Sequence, residues 1–427
     1  MQEDFLHHVW KYQKFDRQRQ LKTQDGEELQ IIAVGRHNTG SSGPDFLHAK
    51  VKIGNQIWVG NVEIHIKASD WYAHRHEEDP NYASVILHVV WEEDVEVYRK
   101  QQEHIPCLEL KDRVDLQIKQ NYDKLTKNLS KTINCEKDFN QFDDFTLKNW
   151  FDRLYIERLQ EKTTTIAQFL ASNNTHWEDA LFQMLSKNFG LNKNGEVFLD
   201  VAQQIGYKIF LKNHQALENL ESLLLGTAGL LNIETESAYI NNLTSKYTYL
   251  SHKYRLQQSK FKPDFFRLRP DNFPSLRLAQ LAKVYYKTPQ LFQAIIQAKT
   301  KTEIYRLFQV QLDSFWDTHY SLTKTSPSKK KKVNTSFIDL LIINTVIPIK
   351  FHYEKLKGEV DYDVLFDIVK SLKPEKNSKV VVFEKLRPHT NTSAFNSQAL
   401  LQLKTRYCDK NHCLKCHLGQ KLINQSV

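Results

Sequence analysis

A chain of 427 residues is too long for one ordinary hydrophobic core, so two or three domains are expected. With 41% hydrophobic and 26% charged residues it reads as globular, and only five cysteines argue against a disulfide scaffold and for a reducing, cytoplasmic setting. The excess of 59 basic over 50 acidic residues, a formal +9, permits a nucleic-acid partner without specifying one. No run of about 18 apolar residues suggests a membrane span, and no apolar signal core follows Glu3 and Asp4.

In chain order, residues 3–14 read as a short amphipathic helix with Phe5, Val9 and Tyr12 on one side. Gln24-Asp25-Gly26 is a turn, and residues 28–34 form a first strand. A Gly/Ser/Asn turn and Gly43-Pro44-Asp45 lead to two further strands, 45–53 and 57–67, joined by a Gly54-Asn55 hairpin. In the latter strand Val62, Ile64 and Ile66 point one way and Glu63, His65 and Lys67 the other. Ser69 is a candidate helix cap. A loop with His74 and His76 then leads to the almost wholly apolar run 84–91, expected as a buried central strand. Residues 95–111 add further strands.

From about residue 112 helical spacing takes over. Helices are expected over residues 145–162, 179–189, 216–225, 276–298, 334–353, 362–372 and 397–407, within a set of about ten. Residues 321–333, with four consecutive lysines from Lys329, read as an exposed basic loop. Arg267, Arg269 and Arg277 flank Pro270 and Pro274 ahead of a helix, and are the candidate phosphate-binding residues. The bland alternative is that they pair with acids and dock helices.

Three groups carry chemistry. Asp45, at the head of one strand, and Glu63, His65 and Lys67, on one face of the next, form a candidate metal and phosphate site. The competing reading is that 63, 65 and 67 are the wet face of an antiparallel strand. His74 and His76 suit a transition metal or phosphate, whereas His88 reads as a core histidine. Cys408, Cys413 and Cys416 lie within nine residues, a spacing that suits zinc or an iron–sulfur cluster in a structural role. The fourth ligand is open among His412, His417, Cys107 and Cys135.

The runs GPDF-x2-AKVKI, W-x-GNVEIHIK-x-SDW, the His-x-His pair and VILHVVWE resemble a mainly Bacteroidetes family, number 2851 among the domains of unknown function. The runs LLLGTAGLL, RLRPDNFPSLRLAQLA, NTVIP and YC-x4-CLKC-x2-G fit it as well. The resemblance implies a bacterial, cytoplasmic protein and no particular activity. More distantly, the order αβββαβ with Pro44-Asp45 and Glu63 is similar to the PD-(D/E)xK nuclease superfamily. That similarity implies Mg²⁺ or Mn²⁺ at Asp45 and Glu63, with a lysine two residues on beside the attacking water. Here that position holds His65, and Lys67 is the nearest lysine on the same face.

The expected fold class is α+β: a nuclease-like mixed-sheet α/β domain over residues 1–111, then a mainly helical domain over 112–427. The expected function is metal-dependent hydrolysis of nucleic acid. The alternative is a non-catalytic nucleic-acid-binding or scaffold protein on the same fold. No membrane partner is expected, and no protein partner is legible.

Overall fold

The computed structural model describes residues 1–427 except 41, 101, 127–131 and 426–427. Ser41 of the expected glycine-serine turn and Gln101 of the expected strand region therefore lie outside the described residues. The chain divides into two compact units, Met1–Trp150 with Leu403–Val427, and Phe151–Gln402. The last strand ends at Glu109, while the compact unit runs on to Trp150 and takes in the C-terminal cysteine segment.

The first unit opens with α1 (Glu3–Lys11), acidic in its first turn and basic in its last, which suits the helix dipole. Phe5, Leu6, Val9 and Trp10 are fully buried on its inner side. It stops short of the expected residue 14: Tyr12 is exposed and Gln13 takes a left-handed φ of 48°.

Seven strands follow among the described residues: β1 (Leu21–Lys22), β2 (Glu28–Ala33), β3 (Arg36–His37), β4 (Phe46–Ile53), β5 (Gln56–Lys67), β6 (Val85–Glu92) and β7 (Cys107–Glu109). They form one mixed sheet in the order β1-β2-β4-β5-β6-β7, with β3 on β4. β2, β4 and β5 are antiparallel, whereas β6 runs parallel to β5 and β7 parallel to β6. Ile53 pairs with Gln56, so Gly54-Asn55 is a two-residue hairpin, and Gly54 takes the φ of 55° that such a turn needs. The β5–β6 crossover holds only the single turn α2 (Asp70–Ala73) and a 3₁₀ turn, Pro80–Tyr82.

The centre of the sheet, β6 with the second half of β5, is buried on both faces. Val62, Ile64, Leu87 and Val89 pack with α1, while Val85, Val90 and Cys107 pack with Trp71 and Ile105 on the other side. α3 (Leu116–Thr126) pairs with the C-terminal helix His417–Ile423, whose Ile423 enters the α1 core.

His8 sits in this core at 5% exposure, and burial first, then Lys14 and Lys11, pull its pKa down to about 4. The unfolded imidazole takes a proton below its ordinary value, near 6.5, while the folded one resists until about 4. Stability is therefore expected to be intact above about pH 6.5 and to fall as pH drops from there towards about 4, by roughly 3 kcal/mol in all. His8→Phe should flatten that limb in pH-dependent urea denaturation. An unchanged slope would count against a neutral buried His8.

The second unit is helical. α4 (Asp144–Ser172) begins in the first unit and continues into this one. Several expected helices are there with altered bounds, as Trp177–Phe189, Leu217–Thr227 and Tyr362–Lys370. The run expected over 276–298 splits into Pro274–Lys287 and Leu291–Gln297, because Pro289 drives Thr288 out of helical backbone to φ −135°, ψ 81°. The run expected over 334–353 contains a π turn, Ile342–Val346, just before Pro348. Proline supplies no N–H, and the wider turn leaves carbonyls for other donors. Lys162 Nζ takes Ile343 O at 3.1 Å, and Asn188 Nδ2 takes Asn344 O at 3.3 Å. By length and composition the stretch Thr335–Lys357 could cross a membrane, contrary to the expectation from sequence, yet 67% of its most apolar window is buried inside this unit, as in a core helix.

Two helices unforeseen in the sequence, Leu191–Ile205 and Ala238–Tyr254, complete much of this core. At Gly226 a Cβ would lie 2.2 Å from the Tyr247 ring. Gly226→Ala is expected to lower stability by about 3 kcal/mol through overpacking. Thermal denaturation checks it, and a melting temperature within a degree of wild type would contradict this close packing.

Candidate metal centre

β5 alternates as expected, but its polar face is not wet. Glu63 and His65 are 5% and 1% exposed. The crossover covers them because α2 ends after one turn, Arg75 takes a left-handed φ of 58°, and His76 N bonds back to Trp71 O at 3.0 Å. That path lays His74 and His76 over the strand. Ser69 does not cap α2; its hydroxyl donates to Asp94 Oδ2 at 2.8 Å, and Asp70 Oδ2 accepts from Lys67 N at 2.9 Å. Tyr82 stacks on His76 at 3.7 Å between ring centroids.

The result is a cluster of metal-binding atoms. The ligand atoms of His65, His74 and His76 all lie within 4.8 Å of one another. His65 Nε2 is 3.1 Å from His74 Nδ1, and Glu63 Oε1 is 3.7 Å from His65 Nε2 and 3.4 Å from His76 Nε2. Bonds of about 2.0–2.2 Å to one tetrahedral ion would place donors about 3.3–3.6 Å apart. The three histidine nitrogens could therefore hold a single ion, and the Glu63 oxygen stands near that spacing from two of them, His65 and His76. His88, the register partner of Glu63, holds the other nitrogen of His65, Nδ1, at 2.8 Å from its own Nε2. Such a contact fixes the ring and its tautomer, as is common behind a ligating histidine.

Asp45 joins from the head of β4. Its N–H donates to Glu63 Oε2 at 3.0 Å, and its Oδ2 accepts from Ile64 N at 3.0 Å. Asp45 and Glu63 are thus neighbours, joined through the Asp45 backbone N–H. Oδ2 also lies 3.1 Å from Nε2 of His7 on α1. Burial lowers the pKa of His7, but the hydrogen bond and charge of Asp45 outweigh it, and the net shift is upward. Glu3, one helical turn before His7, also feels Asp45 and His74; burial, then Asp45, raise its pKa. Glu3 and His7 were missed in the sequence. Their i, i+4 spacing puts them on one helix face, but nothing local says what that face meets.

The electrostatics suit a cation. Burial, then His88, His76 and His74, push His65 down to about 2, and burial pushes His88 down to about 3. Both are neutral and offer lone pairs, as metal ligation requires. Burial raises Glu63, and so does Asp45, against the His76 hydrogen bond. A dication among these donors would reverse that penalty.

Lys67 does not join. Its side chain is 53% exposed and its Nζ lies 3.8 Å from Asp94. Of the four residues expected to meet, Asp45 lies against Glu63 and Glu63 against His65, and His74 and His76 lie beside His65. A cavity of about 280 Å³ beside His76 is lined by Glu77, Glu78, Asp79 and Glu103, with Arg99 and Lys100.

In the second unit Arg267 and Arg269 are exposed, but Arg277 is 2% exposed. It donates to Gln280 Oε1 at 2.7 Å and Asn272 Oδ1 at 2.6 Å and lies 3.5 Å from the Phe337 ring centroid. As a phosphate ligand it is corrected to a core residue. Its neighbours in sequence, Leu276, Leu278 and Leu281, bury the helix all round. The expected exposed lysine loop is likewise partly anchored: Lys330 pairs with Asp317 at 2.6 Å, and Lys331 is 3% exposed. Cys408, Cys413 and Cys416 belong to the first unit.

No curated protein and no solved structure matches the chain. The model of the family described as protein of unknown function, DUF2851, matches residues 3–378, most of the sequence, and the chain belongs to that family.

Proposed function

We propose that the first unit is a metal-dependent, nuclease-like phosphodiesterase of the bacterial cytoplasm that acts on nucleic acid. The observation that carries this reading is the close grouping of His65, His74 and His76, with Glu63 against two of them and Asp45 against Glu63. A bound dication would lower the pKa of a water and polarise a phosphoryl oxygen. In this reading Asp45, held by His7, orients that water. The order of α1, antiparallel β2, β4 and β5, and parallel β6 supports the likeness to PD-(D/E)xK nucleases. Three imidazoles favour Mn²⁺ or Zn²⁺ over Mg²⁺, which prefers oxygen. The +9 charge and exposed Arg267 and Arg269 support a polyanionic substrate. Acids near His76 would repel a bare phosphodiester, and a bound dication offsets that.

A second reading is a nucleic-acid-binding protein without catalysis. It draws on Lys67, the lysine expected at the site, which turns instead to Asp94. The test incubates the full chain at low salt with single- and double-stranded DNA and RNA, with Mn²⁺, Zn²⁺, Mg²⁺ or EDTA. Cleavage that needs Mn²⁺ or Zn²⁺ supports hydrolysis. Binding without cleavage under every metal leaves only the second reading. Neither binding nor cleavage removes both.

A further inference from the structure

We infer that Cys135, Cys408, Cys413 and Cys416 hold one thiophilic metal centre that fastens the C-terminal segment onto the first unit. The sequence left the fourth ligand open, and the fold closes the choice. Cys107 lies in β7 in the core with Trp71, and His412 is turned to Arg406 O at 3.1 Å. His417 packs on Trp150, with ring centroids 5.9 Å apart. Cys135 instead arrives beside the trio. Its neighbour Asn134 donates to Cys413 Sγ at 3.4 Å and to Asn411 Oδ1 at 3.2 Å. Each of the four feels the charge of the others, although no three of their sulfurs lie within 4.8 Å of one another. All four are free thiols, not disulfides.

Backbone N–H groups of Gly419 and Leu418 point at the Cys416 sulfur. N–H donors directed at sulfur are the usual support behind metal-bound cysteine. Gly419 is needed for this close approach, because a Cβ there would meet Cys413 O at 2.2 Å. Burial nevertheless pushes the Cys416 thiol up to about 12 and raises the other three. Lys404 is the cation that Cys408 feels, and it already pairs with Asp409. A metal cation bound here would displace the thiol protons as it binds. Zinc and an iron–sulfur cluster share this ligand chemistry.

The consequence is mechanical. Leu403–Val427 belongs to the first unit although Phe151–Gln402 folds between them in sequence. A centre joining Cys135 to the C-terminal trio would close that discontinuous unit. Full-length protein purified without oxygen is analysed for zinc, iron and acid-labile sulfide. The expected result is about one zinc, or about four irons with sulfide, per chain. Cobalt loading of metal-free protein should give a thiolate-to-metal charge-transfer band, which histidine ligation at the other centre would not produce. Cys135→Ser should lower the bound metal at least about tenfold and speed protease cleavage within residues 403–427. The same measurements in His76→Ala should leave the thiolate band intact. Wild-type protein without zinc or iron and without a cobalt thiolate band would overturn the site. Full metal content in Cys135→Ser would overturn the fourth ligand. Unchanged cleavage after metal removal would overturn the fastening role.

Discussion

Glu63→Gln is expected to lower metal-dependent cleavage by at least ~100-fold while the protein stays folded. Gln keeps the shape of Glu63 and can still accept the Asp45 N–H bond now made to Oε2. It removes the negative charge that stands 3.4 Å from His76 and 3.7 Å from His65. Removing a ligand should cost more than the 10–100-fold typical of outer-sphere changes. Folding should hold or improve, since burial already disfavours the Glu63 carboxylate in the absence of metal. Isothermal titration with Mn²⁺ and a cleavage assay separate the two effects. His65→Lys, which would copy the lysine of the PD-(D/E)xK pattern, should also fail. It would bury an ammonium at a 1% exposed position against His74, His76 and His88. Wild-type cleavage in Glu63→Gln would remove this centre from catalysis.

Arg277→Ala is expected to destabilise the second unit by about 3 kcal/mol or more, without the behaviour of a missing phosphate ligand. It leaves Gln280 and Asn272 without their partner and a void over Phe337. Arg277→Lys should rescue little, because an ammonium cannot reach both amides as the guanidinium fork does. Burial has pulled the guanidinium pKa down to about 10, so the position is costly and depends on those bonds. Arg267→Glu with Arg269→Glu, by contrast, should leave melting nearly unchanged and reduce the salt dependence of nucleic-acid binding. Each phosphate that the protein no longer neutralises lowers the log–log slope by about 1. Reversal at Lys330 and Lys331 should act on folding, since Lys330 pairs with Asp317 and Lys331 is buried. If Arg267 and Arg269 leave the salt slope untouched, the phosphate surface lies elsewhere.

The sequence by itself determined the strand register of the site. Two-residue alternation at 62–67 and the Gly54-Asn55 turn dictate which β5 side chains share a face, because hairpin length and pleat leave little freedom. Prolines at 270, 274 and 289 mark real breaks for a similarly local reason. Only the tertiary structure decided what that face meets. Whether Glu63, His65 and Lys67 are wet depends on the crossover, and a one-turn α2 with a left-handed Arg75 brings His74 and His76 back over two of them but not the third. His7 reaches Asp45 from 38 residues away, and Cys135 reaches Cys408 from 273 away. Such pairings rest on how α1 and the C-terminal segment dock on the sheet, a packing choice summed over many buried residues. No local spacing encodes it, so the chemistry-bearing residue types could be read from the chain, while their partners were set by the fold.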